Sequence, residues 1–269
     1  MRMKAGSSAS LIIAGLLVVA RVAVGPVNAA PVDAAPVNAA SVGVAPGAYL
    51  MPSGCCALDV RASGDREVRF SIRAEGANGH SCGLSGRIDG DRALLREAPS
   101  LPACELRFVA TEGAVEVVIV DGAAAACRGY CGARARFDGV YRRPQPGCAR
   151  SEVAATRKAF KQAYDSKDFT RAQALLEPVV ARCSGWLHWL DAGWIRNDFA
   201  LAQLRAGDAA GCRQTLSGFG PLIDATEDEL RDQHSYPPSD ATSLAAVLRA
   251  ARYNRKRCGG EPVPAKPGG

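Results

Sequence analysis

The chain has 269 residues, of which 48% are hydrophobic, 22% are charged and 6% are aromatic. This composition is too apolar and too weakly charged for a wholly disordered protein, and charges interrupt it too often for repeated membrane spans. At roughly 100–200 residues per domain, the length allows two modest domains.

The first 29 residues predict a secretory signal peptide. A short basic stretch precedes an apolar run at residues 11–20, which is about half of the roughly 20 residues that a transmembrane helix needs. Small side chains at residues 27–29 form an acceptable cleavage site. We therefore expect a mature chain that begins near Ala30, is periplasmic or secreted, and has no segment inserted into a membrane.

The formal net charge of +6 overstates the basic character of this mature chain. Residues 1–29 contain three basic residues and no acidic residue, so their removal lowers the net charge by three. We therefore expect no nucleic-acid partner. Residues 30–46 begin with a Pro/Ala-rich five-residue repeat, and because regularly spaced prolines block a stable helix, they are predicted to be a low-complexity linker.

Residues 47–148 predict a disulfide-rich antiparallel β domain. Apolar residues alternate clearly over residues 68–74, 104–108 and 115–119. Strands spaced by about 8–12 residues with turn signals between them are typical of a barrel or a sandwich. Weaker strands are expected near residues 48–51, 56–61, 82–88, 92–96 and 134–142. Because the first and last strands pair in a meandering barrel, the strand at Tyr49 is expected beside the strand at Tyr141.

Residues 149–258 predict an all-α domain, and residues 259–269 a flexible tail. Apolar residues recur at helical spacing over residues 151–165, and Asp168 is a good N-cap for a second helix. Further helices are expected over about 186–206, 209–217 and 241–257. The predicted fold class is α+β as two domains, an antiparallel β barrel or sandwich followed by an all-α helical-hairpin repeat domain.

Two polar turns, at residues 167–172 and 207–212, align at an offset of 40 residues, each with an Asp and a small residue four positions later. This pattern resembles tetratricopeptide-type helical hairpins. The resemblance implies a concave groove that binds an extended peptide, and an Asn at about Asn197 that holds the peptide's carboxylate. The residues that would line the groove are Trp186, Trp189 and Trp194. Packing of these tryptophans in a helical core is the alternative.

A second candidate for binding is the loop of residues 127–132, in which Arg128 and Tyr130 lie between two cysteines. A disulfide-held loop is ordered before it binds, which lowers the entropic cost of recognition, and Arg and Tyr are favoured at interfaces. A tight structural turn is the alternative. The segment from Cys131 to Tyr141 resembles small disulfide-bonded periplasmic domains of the lysozyme-inhibitor kind, which implies an enzyme-blocking role for an exposed loop.

Ten cysteines in an exported chain predict disulfides. A zinc site around Cys127 and Cys131 is the rival interpretation, although paired C-x2-C spacings are lacking. Redox catalysis would favour a C-x-x-C pair, and these two cysteines are one residue too far apart.

Helix geometry predicts two of the bridges. Two helices of nearly equal length joined by a tight turn bring their far ends together, which places Cys148 beside Cys183. The same argument places Cys212 beside Cys258. Six cysteines then remain for the β segment. Cys82 with Cys104 is the first choice, Cys55 and Cys56 are expected to find two different partners, and Cys127 and Cys131 are left.

The sequence contains no recognisable catalytic, metal or cofactor motif. Its histidines, His80, His188 and His234, lie in no metal-ligand spacing such as H-E-x-x-H. We therefore expect no metal and no cofactor, and we predict a non-enzymatic binding protein of the bacterial envelope that recognises another protein or a peptide, such as an inhibitor or an immunity-type factor. The alternative is an envelope hydrolase, in which His80 or His234 would face a carboxylate and a serine in a cleft.

Overall fold

A computed structural model of the chain describes residues 43–63 and 67–259. The predicted signal peptide, most of the predicted linker and almost all of the predicted tail lie outside the described residues. The described residues belong to one compact unit. In chain order they form an eight-stranded antiparallel sheet and then a series of helices.

The sheet is a nearly closed barrel. Its strands follow the order β4-β3-β2-β1-β8-β7-β6-β5, so that β4 and β5 lie at the two ends, where a three-residue turn and an Asp89–Arg92 bridge bring them together. The pairing of Leu50 with Arg142 confirms the predicted contact of the first and last strands. The strands are β1 (Gly47–Leu50), β2 (Cys56–Ser63), β3 (Glu67–Glu75), β4 (Ser81–Ile88), β5 (Arg92–Leu95), β6 (Cys104–Thr111), β7 (Ala114–Ile119) and β8 (Gly139–Arg142).

Alternation along the strands fills the barrel interior. In β3, Phe70, Ile72 and Ala74 are buried while Arg69 and Arg73 between and beside them are exposed. The Phe70 and Phe108 rings meet inside with centroids 5.0 Å apart. Burial of each such large apolar side chain contributes about 1.5–3 kcal/mol to folding, so the period-two pattern fixes which face of the sheet turns inward.

The last strand is shorter than predicted, because β8 begins only at Gly139. Residues 130–132, which precede it, form hydrogen bonds with β4 instead. Gly83 N–H donates to the Tyr130 carbonyl at 3.1 Å, and Gly132 N–H donates to the Ser81 carbonyl at 2.8 Å. These bonds cover the free edge of β4, which is otherwise open to pairing with another chain.

Seven α-helices accompany the sheet in the described part of the chain. Five of the predicted helices are present, and Asp168 and Asp208 cap α3 and α5 by accepting bonds from Arg171 N–H and Gly211 N–H. No described helix is both long and apolar enough to cross a membrane. The helices are α1 (Ala124–Arg128), α2 (Arg150–Asp165), α3 (Phe169–Arg182), α4 (Trp189–Arg205), α5 (Ala209–Ser217), α6 (Glu227–Asp232) and α7 (Pro238–Arg257).

Among the helices from α2 onward, α4 is central, since it contacts α3, α5 and α7. Consecutive helices contact one another from α2 to α5, and α7 returns to pack against α4, α5 and α6. The buried residues between them are mainly Ala, Leu and Val, including Leu176, Leu216 and Leu248. The fold is therefore of the α+β class. The assignment of these helices to a repeat family stays a prediction.

Four disulfides are present, and both helix-based pairings are correct. Cys148 is bonded to Cys183, and Cys212 to Cys258. The predicted Cys82–Cys104 pairing is wrong, because Cys82 is bonded to Cys131 and Cys104 to Cys127. The physical reason is the sheet order, which separates β4 from β6, while α1 and the loop after it bring Cys127 and Cys131 to these strands.

Cys55 and Cys56 are not bonded to any other cysteine. Their predicted pairing with two different partners is therefore wrong. All eight remaining cysteines are used by the four bridges, and the Sγ atoms of Cys55 and Cys56 lie 2.7 Å from each other.

Candidate functional site

A cleft of about 980 Å³ lies where the barrel meets the helices. The barrel side comes from the β1–β2 turn, the end of β3 and the turn before β4. The helical side comes from the segment before α4, from α4 itself, and from residues around the start of α7. The lining includes Cys55, Glu75, His188, Trp189, Arg196 and Tyr236.

Gly54 sets the close approach of the two sides. It has a φ of +65°, and a Cβ at this position would clash with the backbone of Leu187 and His188. Both requirements are met only by glycine. Beside it, Ser53 N–H donates to the Gly185 carbonyl at 2.9 Å. The β1–β2 turn is thereby held against the segment that leads into α4, and Cys55 is placed in the cleft.

Aromatic side chains form the helical wall of the cleft. Trp189 is the first residue of α4 and keeps 37% of its surface exposed. Its ring centroid lies 5.2 Å from that of His188 and 6.4 Å from that of Tyr236. A large ring left partly exposed in a concave surface is suited to contact with a ligand, because ligand sites combine apolar walls with a few polar groups.

Arg196 supplies a positive charge in this wall. Its guanidinium lies 5.4 Å from the centroid of the Phe219 ring and reaches over Gly218, where any side chain would clash with it. Among the described residues it forms no ion pair or hydrogen bond, whereas twelve other ion pairs are present. Burial lowers the pKa of Arg196 from its ordinary value. An anion in the cleft would compensate this charge.

Glu75 brings a negative charge to the barrel side. Its Oε2 lies 3.8 Å from His188 Nδ1, and its Oε1 lies 3.6 Å from Arg150 Nη1. Arg150 also donates from Nη2 to the carbonyls of Gly54 and Cys55, at 2.8 and 3.3 Å. The Glu75 carboxylate is therefore placed beside Arg150 and His188, and it forms no ion pair with Arg196.

The two adjacent thiols differ in their exposure. Cys55 is half-buried and lines the cleft, whereas Cys56 is buried in the barrel core. The hydrogen bond from Cys56 lowers the pKa of Cys55 to about 6, helped by a hydrogen bond from Ser53 and the charge of Arg150 and opposed by burial. The same hydrogen bond and burial raise the pKa of Cys56. Cys55 is thus the more acidic thiol of the pair.

The predicted groove residues are only partly brought together. Trp189 lines the cleft, while Trp186 packs against the core of α2, α3 and α4. Trp194 is half-buried and lies outside the cleft lining. The position of Trp189 therefore fits contact with a ligand, and the position of Trp186 fits packing in the helical core.

Asn197 is buried, so the expectation that it holds a peptide's carboxylate is not met. Its Nδ2 donates to the carbonyls of Gly193 and Val247 at 3.2 and 3.1 Å, and its Oδ1 accepts from Asn254 at 3.2 Å. With its donors and acceptor satisfied between α4 and α7, this side chain serves packing rather than recognition.

Arg128 and Tyr130 are not among the residues that line the cleft. The two cysteines of their loop bridge to different strands, β6 and β4, and so fix the loop from both ends. Arg128 is exposed. Tyr130 is half-buried in a recess of about 310 Å³ with Glu97, and burial is the main cause that raises its pKa.

Two of the three histidines lie at the cleft and one does not. His80 and His188 line the cleft, and His234 is exposed outside it. Sequence reasoning missed Glu75, Arg196 and Tyr236, which come from separate segments and carry no motif.

The arrangement has the features of a binding site. It joins an aromatic wall, an arginine without an ion pair among the described residues and a thiol of lowered pKa in one cleft. In the described part of the chain, no group of three or more His, Cys, Asp or Glu side chains could hold a metal ion. Comparison with models of known protein families, with curated proteins and with solved structures finds no match.

Proposed function

We propose that this chain is an exported, non-enzymatic binding protein of the bacterial envelope, whose cleft binds a peptide or a protein segment that carries a carboxylate. The observation that carries the proposal is Arg196, half-buried in the cleft and without an ionic partner among the described residues. Burial removes part of the hydration of this charge, and a bound anion would replace it. A carboxylate is a suitable counter-ion, because the guanidinium fork matches its two oxygens.

The walls of the cleft support a peptide as the rest of the ligand. Trp189 and Tyr236 offer large, partly exposed aromatic surfaces at the side of the charge. Aromatic residues and arginine together are the residue types that contribute most to recognition of protein segments. A bound C-terminus would place its carboxylate on Arg196 and its last side chains on this wall.

The envelope location is supported by the cysteines. Four disulfides fit an oxidising compartment outside the cytoplasm. The periplasm or the medium, a role as an inhibitor or immunity-type factor, and the two family resemblances belong to the proposal. For the tetratricopeptide-type resemblance, the support is the contact of α2 with α3 and of α4 with α5 across short turns capped by Asp168 and Asp208.

The alternative function, an envelope hydrolase, has one specific observation in its favour. Cys55, His188 and Glu75 line the same cleft, and His188 lies 3.8 Å from Glu75. A cysteine nucleophile needs a hydrogen bond to its base. The described bond of the Cys55 side chain goes to Cys56 rather than to His188, so binding is the preferred function.

Arg196→Gln tests the proposal directly. A library of peptides from envelope proteins, each made with a free C-terminal carboxylate and as the C-terminal amide, is titrated against the full chain by fluorescence polarisation. We expect wild type to prefer free acids and Arg196→Gln to lose about ten-fold or more of this affinity, because a hydrogen bond to a charged group contributes about 1.5–3 kcal/mol.

The matched control is Arg249→Gln, which removes an exposed arginine of α7 that does not line the cleft. This variant should bind free acids as wild type does. Equal affinity of Arg196→Gln and wild type for every free-acid peptide would contradict the proposed role of the cleft.

A further inference from the structure

Cys55 and Cys56 are the two cysteines that the four disulfides leave over. The chain has ten cysteines, and all ten lie within the described residues. Eight are paired at sequence separations of 23 to 49 residues. The remaining two are adjacent in the chain, with Sγ atoms 2.7 Å apart. Each of these thiols therefore has the other as its intramolecular partner in the described part of the chain.

The two thiols are arranged asymmetrically about the cleft. Cys55 lines it and is half-buried, so that Cys55 is the more exposed residue of the pair on the cleft side. Cys56 is 2% exposed, and its Sγ lies 3.7 Å from the carbonyl oxygen of Arg136. An accessible sulfur with a shielded thiol next to it is the arrangement of an attacking and a resolving cysteine in thiol–disulfide exchange.

Charges around Cys55 favour its thiolate. Arg150 donates two hydrogen bonds to the backbone of Gly54 and Cys55, which places a guanidinium beside the pair. Together with the bond from Cys56, this gives Cys55 the lower pKa of the two thiols. The thiolate is the nucleophile of disulfide exchange, so the accessible sulfur is also the more reactive one.

We propose that Cys55 and Cys56 form a thiol–disulfide exchange site, in which Cys55 attacks an organic disulfide that enters the cleft and Cys56 resolves the mixed disulfide. This inference does not rest on the binding function proposed above. The reacting chemistry is a disulfide bond, which either a small cystine-type compound or a peptide can bring.

The reaction balances in two steps. The Cys55 thiolate attacks one sulfur of R–S–S–R, forms Cys55–S–S–R and releases one RS⁻. Cys56 then gives up its thiol proton and attacks the Cys55 sulfur. This attack forms the Cys55–Cys56 disulfide and releases a second RS⁻. The two RS⁻ groups take up the Cys56 proton and one proton from solvent, and both leave as RSH. The two protein sulfurs are oxidised by two electrons, and the organic disulfide is reduced to two thiols.

The test starts from the full chain with this pair reduced and the four bridges intact, as checked by peptide mapping. Oxidised glutathione is the small probe, and a cyclic peptide closed by one disulfide is the peptide probe. Wild type should release two equivalents of glutathione thiol per chain and end with Cys55 bonded to Cys56. Cys56→Ser should release one equivalent and keep the other on Cys55, because the resolving thiol is absent.

Cys55→Ser is the matched variant, since it leaves only the shielded thiol. It should react roughly 100-fold more slowly than Cys56→Ser, because buried structural thiols are inert. Circular dichroism of both variants shows whether each is folded. Reaction with either probe supports the exchange site, and the probe that reacts faster identifies the source of the disulfide.

Three results would overturn the inference. They are a wild type that reacts with neither probe, a wild type that keeps glutathione on Cys55 without forming the Cys55–Cys56 bond, and a folded Cys55→Ser that reacts as fast as Cys56→Ser.

Discussion

Cys55 and Cys56 show how much a single hydrogen bond can separate two identical side chains. With Cys56 as the donor in this contact, the Cys55 sulfur is stabilised as a thiolate and Cys56 is held protonated, which lowers the pKa of Cys55 and raises that of Cys56. Because burial disfavours the charge on both, the direction of this bond decides which sulfur ionises. The exposure of Cys55 to the cleft then decides which sulfur a reagent meets.

This difference predicts the pH dependence of alkylation. In the reduced wild type, the rate of Cys55 modification by iodoacetamide should rise through an inflection at pH of about 6, because the pKa of Cys55 is lowered to that value and only the thiolate reacts. In Cys56→Ala the inflection should move upward toward the ordinary thiol value, because the largest cause of the lowered pKa is removed.

Arg150→Gln serves as the comparison. It removes the Arg150 charge, which lowers the pKa of Cys55 by less than the hydrogen bond with Cys56 does, so its inflection should move upward by less than that of Cys56→Ala. The rates are read by mass spectrometry of the peptide that contains Cys55. An inflection near pH 9 in wild type would show that the hydrogen bond does not act as described.

Part of the site could be predicted at this scale and part could not. The resemblance to tetratricopeptide-type hairpins predicts Trp189 as a groove residue, and Trp189 does line the cleft. Glu75, Arg196 and Tyr236 belong to β3, α4 and the segment before α7, and only tertiary packing brings them together. Asn197 was misjudged because the sequence does not show that α7 packs against α4 and satisfies its amide.

At the scale of elements, local chemistry predicted most of the structure. Clear period-two alternation predicts three of the strands, weaker patterns with turn signals predict the other five approximately, and the Asp caps predict the starts of α3 and α5. The five-residue α1 was missed, because one turn of Ala-rich sequence has no periodicity. That omission also led to the wrong Cys82–Cys104 pairing, since the positions of Cys127 and Cys131 depend on α1 and the loop after it.

The Cys148–Cys183 bridge should contribute strongly to stability, since it closes a loop of 35 residues between the far ends of α2 and α3. In the chain-entropy description, such a loop contributes about 3–4 kcal/mol. We expect the Cys148→Ala/Cys183→Ala variant to lose roughly this free energy of unfolding, as measured by urea denaturation.

The matched variant is Cys55→Ala/Cys56→Ala. It also removes two cysteines, but these two cysteines close no loop in the wild-type chain. Its loss of unfolding free energy should be clearly smaller. A loss of equal size in both variants would indicate that the sulfur packing, rather than the loop closure, is responsible for the effect.

At the scale of the whole molecule, the barrel and the helices are joined by a reciprocal set of hydrogen bonds. The α7 helix has Pro237 at its N-cap and no side-chain cap of its own. Asn78 of the β3–β4 connection supplies the missing acceptor, because its Oδ1 accepts from Ser239 N–H at 3.0 Å. In return, Asp240 accepts from Asn78 N–H with both oxygens, at 3.1 and 3.0 Å.

The same junction explains why the cleft exists. Asp240 and the residues next to Asn78 line it, so the cap that starts α7 also closes one end of the cleft. The strands and the helices each follow from local sequence patterns, whereas this junction joins positions more than 160 residues apart. No local pattern in the sequence indicates such a contact.

Substitution of Asn78 separates the two contributions to this junction. Asn78 has a φ of +61°, which glycine adopts freely and alanine does not. Asn78→Gly removes only the cap and should cost about 1 kcal/mol of unfolding free energy. Asn78→Ala removes the cap and adds backbone strain, so it should cost about 1–2 kcal/mol more.

Denaturation with urea measures both losses, and amide hydrogen exchange locates them. In both variants the Ser239 amide should exchange faster, because its acceptor is gone, while amides in the middle of α7, such as that of Leu248, should change only with global stability. Ser239→Ala is the control, since it removes the hydroxyl bond to Asn78 and keeps the amide bond. If Asn78→Gly leaves the exchange of Ser239 unchanged, the barrel does not cap α7, and the cleft must be held together by the contacts around Gly54 instead.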